Sequence, residues 1–159
     1  MQKQNKIIEE RYVLYRLAMV DMERVQRCIG LAESSSDNFI AESLIRDAVV
    51  SYIRPFSGNK GVFQKKGLNL PLSSVPSQLR QEHAMVENCR NNLVAHMDLT
   101  VQNVKLERYE INGEKHFPFT VTGYERLHLS GLVEPLRKLA PVVNSWLLQK
   151  TFDTERNHL

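Results

Sequence analysis

The first thirty residues restrict the fold more than any other part of the chain. From Gln4 to Glu33 there is no proline and the first glycine is Gly30, while Ile8, Tyr12, Tyr15, Met19, Met22, Val25, Cys28 and Ile29 recur at three- and four-residue intervals. That interval is the helical period and predicts one long helix over 4–33. A helix of about thirty residues extends roughly 45 Å, and its apolar stripe has to be covered by other elements. The 159 residues amount to one domain, 1–159, large enough to bury a core around such a helix.

The partners follow in order. Ser34-Ser35-Ser36-Asp37 is an N-cap signal, because short side-chain oxygens accept from the free amides of a first turn. It predicts a second helix over 38–54 with Ile40, Leu44, Ala48 and Tyr52 inward, ended by Pro55 and Gly58. Ser57 to Pro76 is rich in Gly, Pro and Ser and carries Lys60, Lys65 and Lys66. It is a long loop, and such loops are often functional or mobile. A third helix is predicted from Ser77 to about His96.

Beyond Asp98 the period becomes alternating. Val104 and Leu106 face one way, Lys105 and Glu107 the other, and the alternation slips at Arg108 before Tyr109 and Ile111. A β-bulge near Glu107-Arg108 would absorb that slip. Asn112-Gly113 favours the positive backbone angles of a tight turn, so 100–122 reads as a β-hairpin, with Pro118 keeping its strand at an edge. Ser130 is then the cap of a last helix from Gly131 to about Phe152, its start displaced later if Pro135 occupies the first turn. Pro141 should kink it. The expected architecture is mainly α, four helices with a hairpin inserted between the third and the last.

No apolar run approaches the length of a membrane span, and MQKQNKIIEER turns charged where an export signal would need an apolar core. The expectation is a soluble, cytoplasmic protein without membrane contact, in which Cys28 and Cys89 are reduced core residues. A net charge of +3 permits contact with nucleic acid without arguing for it. There is no Gly-x-x-x-x-Gly-Lys run to cradle a nucleotide, no zinc-type spacing of Cys or His and no Gly-x-Ser-x-Gly nucleophile turn. No metal or cofactor is implied.

The informative stretch is CRNNLVAHMD, Cys89 to Asp98. At 100° per residue, Leu79, His83, Val86, Cys89 and Leu93 gather on one arc, with Ala84, Asn88, Asn91, Asn92 and Ala95 opposite. Arg90 falls within the apolar arc and His96 at its margin. An arginine directed at a core is costly unless its charge is matched. Three placements satisfy it: an internal carboxylate such as Asp47 or Glu42, a subunit interface, or a cleft that receives an anion. Its stem could also cover the core while the head stays wet. His96 could cap the helix end, and Asp98 could orient His96 or begin the turn. His83, on the buried arc, reads as a satisfied core histidine.

RNNLVAHMD resembles the signature of the HEPN superfamily, in which Arg is followed by a polar residue, often Asn, and then by His. The longer form, Arg-Asn, mixed residues, Ala-His, any residue, Asp, is similar to bacterial HEPN-like proteins, some near abortive-infection systems. IRDAVVSYIRPFSGN, the second helix and its exit, is similar to the segment preceding that motif. The resemblance covers about Asn38 to Asp98 and departs from simple HEPN domains in the hairpin that follows the motif and in the lack of a nucleotidyltransferase domain in this chain. It implies a four-helix up-down bundle and a homodimer acting as a metal-independent endoribonuclease, of the kind found among toxins and phage-defence effectors. An antitoxin or nucleotidyltransferase is an implied partner. Arg90 and His96 would be the catalytic pair and Asn91 their polar companion. Asp98, Lys60, Lys65 and Lys66 would assist substrate binding, with Phe63 available to stack a base; taken by itself, the lysine loop reads first as a solvated connector. A catalytically silent dimer that binds RNA, a nucleotide or a protein is the other implied class.

Overall fold

The structure, a computed structural model, describes residues 2–63, 67–91, 104–121 and 129–158. Helix α1 (Gln2–Ser34) is the long helix that the periodicity predicts. Helix α2 (Asn38–Ile53) starts at Asp37, whose carboxylate accepts from the amides of Phe39 at 2.8 Å and Ile40 at 3.2 Å. Its buried residues include Ile45, Ala48, Val49, Tyr52 and Ile53, whereas Ile40 is half exposed. The single stripe predicted through Ile40 becomes two adjacent rows, because α2 is covered by α1 and by the helices that follow.

Pro55 lies within a 3₁₀ turn, Arg54–Phe56, and the loop beyond it is pinned rather than free. The Leu70 amide donates to Pro55 O at 2.8 Å, Asn59 bridges to Leu68, and Leu68, Leu70 and Val75 are buried. A 3₁₀ turn at Ser77–Leu79 leads into helix α3 (Arg80–Cys89). His83, Val86 and Cys89 are buried on it while Ala84 and Asn88 are exposed, as the wheel requires.

Strands β1 (Val104–Leu106), β2 (Tyr109–Ile111), β3 (Glu114–His116) and β4 (Phe119–Val121) form the hairpin. Its turn has φ of 54° at Asn112 and 81° at Gly113, the geometry Asn-Gly favours. The expected bulge is not there. Val104 pairs with Val121 and Tyr109 with His116, the same offset on both sides of Glu107-Arg108, so no residue is inserted. The ladder is interrupted instead by Pro118: its carbonyl accepts from the Glu107 amide at 3.0 Å, and proline has no N–H to return. With the register intact, Leu106, Tyr109, Ile111 and Phe117 remain about half exposed.

Helix α4 (Val133–His158) begins after Leu132, not at Ser130, and runs six residues past Phe152. Pro135 is in its first turn, where a missing amide costs least, and the helix continues through Pro141. Helices α2 and α4 both run antiparallel to α1. Arg24 meets Asp47 at 2.7 Å and Arg54 pairs with the buried Asp21. Tyr12 Oη donates to Glu155 at 2.6 Å, Tyr15 packs edge-on against Trp146, and Arg137 pairs with Glu33. Met22, Val25, Val49, Tyr52, Leu136, Leu139, Val143 and Leu147 make the core between them. Among the described residues no helix is long and apolar enough to cross a membrane.

Candidate functional site at the end of the third helix

At Arg90 and Asn91 the backbone passes from α-helical bonding to a wider π-type turn, a local form frequent at functional sites. The Arg90 amide is shared between the carbonyls of Val86 and Glu87. Its side chain is half-buried and Nη1 donates to Asn91 Oδ1 at 3.1 Å; Asn91 is exposed. Of the placements open to Arg90, a pairing with Asp47 is not the one adopted. Asp47 accepts from Arg24 at 2.7 Å and from the Cys28 thiol at 3.3 Å. Burial works to raise the pKa of Asp47, but those two hydrogen bonds and the nearby guanidinium charges outweigh it and lower the value. Burial and the same carboxylate push the Cys28 thiol up to about 11, leaving it an inert core group. Both cysteines are buried and free, as expected from the sequence.

His96 and Asp98 lie outside the described residues, as do Lys65 and Lys66. Lys60 is exposed on the wall of a cleft of about 730 Å³ between α1 and the 57–76 loop, and neither Arg90 nor Asn91 lines that cleft. Phe63 beside it carries Lys6 over its ring at 4.8 Å, and its amide donates to Glu10 at 2.8 Å. Lys6 and Glu10 thus fasten the loop to α1.

His83 behaves as the sequence predicts, and it also shows something the sequence reading passed over. Its ring is buried against Phe56, with centroids 4.7 Å apart, and Nδ1 lies 2.8 Å from Tyr52 Oη. Burial lowers the His83 pKa against the pull of Glu87, and burial raises that of Tyr52, so the pair is neutral. The hydrogen bond engages His83 Nδ1, with the phenol as donor or acceptor according to the ring tautomer. His83 also forms part of a groove of about 310 Å³ with Phe56, Asn69, Leu72, Arg80 and Glu87. Arg80, His83 and Glu87 are spaced i, i+3, i+7, which was legible on the wheel. The far wall was not, because Phe56 and Asn69 arrive only by the folding back of the loop.

Among the described residues no group of His, Cys, Asp and Glu is arranged to hold a metal ion. Comparison with known proteins found no matching family model, no matching curated protein and no matching solved structure.

Proposed function

We propose that the protein is a HEPN-type, metal-independent endoribonuclease in which Arg90 and His96 act on one phosphodiester, with Asn91 holding the guanidinium. The observation that carries this reading is the state of Arg90. The half-buried Arg90 has a guanidinium whose described contact is the neutral Asn91 amide at 3.1 Å, while Asp47 is engaged elsewhere. A guanidinium offers a planar fork of donors for phosphate oxygens. In the reaction, the 2′-hydroxyl oxygen bonds to the adjacent phosphorus as the P–O5′ bond breaks. One proton leaves the 2′-oxygen and one reaches the departing 5′-oxygen, giving a 2′,3′-cyclic phosphate and a 5′-hydroxyl. Histidine suits that proton transfer near neutral pH, and arginine suits the negative charge building on phosphorus.

Within one unbroken helix, six residues would set Arg90 and His96 about 9 Å apart along the axis and roughly 120° apart around it. The pair therefore flanks a substrate instead of touching, and a symmetric homodimer would complete the cleft. An up-down arrangement of the four helices fits the antiparallel pairs α1–α2 and α1–α4. A dimer is supported by Val13, Leu17, Val20 and Leu31, large apolar residues exposed along α1. Lys60, Lys65, Lys66 and Asp98 are proposed only as accessory substrate contacts, and an antitoxin or nucleotidyltransferase remains the proposed protein partner.

The test is incubation of labelled single-stranded RNA with the protein in excess chelator. Wild type should cleave, and Arg90→Ala and His96→Ala should each lower the rate by about 100-fold or more while retaining the wild-type helical signal. Cleavage that persists in both variants, or that requires added metal, would refute the proposal.

A further inference from the structure

We infer that the groove formed by Phe56, Asn69, Leu72, Arg80, His83 and Glu87 reads a guanine base of RNA; this rests on the ribonuclease reading, to which it adds a base preference. The groove lies along the helix that leads to Arg90, and its last residue on that helix, Glu87, is one turn before it. Glu87 precedes Arg90 by three residues and Asn91 by four, the spacings that bring helical side chains together. A strand whose phosphate meets Arg90 therefore has an adjacent base within reach of the groove.

The chemistry of the walls selects the base. Glu87 is an exposed carboxylate on one turn of α3, and Arg80 is an exposed cation two turns before it. Between them sits the buried His83, which lines the groove and whose Nδ1 is engaged by the Tyr52 hydroxyl at 2.8 Å. Guanine is the base that answers this pattern. Its N1–H and N2–H₂ are adjacent donors that a carboxylate accepts as a pair, and its O6 and N7 are adjacent acceptors suited to an arginine fork or an imidazole N–H. Adenine offers its amino group but no second donor beside it, and uracil has one imide N–H. Phe56, partly exposed, and Leu72, 49% exposed, supply the apolar wall that unstacked bases require. A volume of about 310 Å³ admits one base.

The test uses the full chain and 2′-O-methyl tetranucleotides, which bind but are not cut, containing a single G or a single A. Free 5′-GMP and 5′-AMP are titrated in parallel by calorimetry. The G oligonucleotide should bind about tenfold or more tightly than the A oligonucleotide. Glu87→Gln, a conservative change at an exposed position, should erase that preference. Arg80→Ala should weaken the G oligonucleotide, and Arg90→Ala should preserve the preference. Equal binding of the two oligonucleotides, a preference that survives Glu87→Gln, or a preference confined to free GMP would each overturn the inference. Preferential binding without cleavage of unmodified RNA would sink the ribonuclease reading alone, and cleavage without base preference would sink this inference alone.

Discussion

At the scale of single residues, two side chains with opposite requirements set the character of α3. His83 is buried and neutral, and its stability contribution has a defined sign. Its folded pKa lies below the ordinary value near 6.5, so the unfolded chain takes up a proton that the folded chain refuses. The His83 contribution is intact above about pH 6.5 and is lost as the pH falls from there through the folded value. Urea unfolding at pH 7 and pH 5 should show a smaller acid loss in His83→Gln than in wild type; equal losses would contradict this assignment. Tyr52→Phe strands Nδ1 without its partner and should cost about 1–3 kcal/mol in the same experiment. Arg90 is the opposite case, a guanidinium held at the helix end. The sequence exposed Arg90 as an anomaly because one wheel sufficed to find it. Asp21–Arg54 and Tyr52–His83 stayed hidden because each joins elements whose approach no local pattern records.

Elements were legible where the physics is local. Asp37 capping α2 and Asn112-Gly113 turning the hairpin are properties of a few adjacent atoms, and both were readable. Asp37→Ala removes two accepted hydrogen bonds and should lower stability by about 1 kcal/mol. Gly113→Ala forces a Cβ into a backbone with φ of 81°, where side chains are strained. Because the hairpin is exposed, that change should speed amide exchange across the Tyr109–His116 pairing while the global unfolding midpoint holds. A parallel fall in both would show that the hairpin carries core stability. The expected bulge failed for an instructive reason. An apolar pattern that slips by one residue normally signals an insertion, but here it runs into β2 and β3, which are exposed on both faces, where no core enforces the alternation. Helix α4 takes the later start that Pro135 allowed, three residues beyond Ser130.

For the molecule as a whole, α1 is the member against which α2 and α4 both pack, so its core face should dominate stability. Leu139 and Val143 of α4 are fully buried in that shared core, and Leu139→Ala should cost about 2–5 kcal/mol, with loss of α1 packing and not of α4 alone. The opposite face of α1 is the proposed dimer surface. Leu17→Glu, at a side chain 61% exposed, should leave the monomer folded but shift the mass in solution from dimer to monomer and lower RNA cleavage with it. A monomeric wild type would remove the twofold cleft. The candidate site is written in the sequence as residue types, Arg, Asn and His in order, of which Arg90 and Asn91 are described; the groove beside it was not readable, because it is built by a loop returning from α2.

The central claim is that Arg90 and His96 cleave RNA through its own 2′-hydroxyl, and the ends of the products test it most directly. Mass spectrometry of a defined RNA oligonucleotide digested in chelator should show 2′,3′-cyclic phosphate and 5′-hydroxyl ends with wild type and intact RNA with His96→Ala. Products bearing 5′-phosphate and 3′-hydroxyl ends, or the same products from His96→Ala at an unchanged rate, would contradict it.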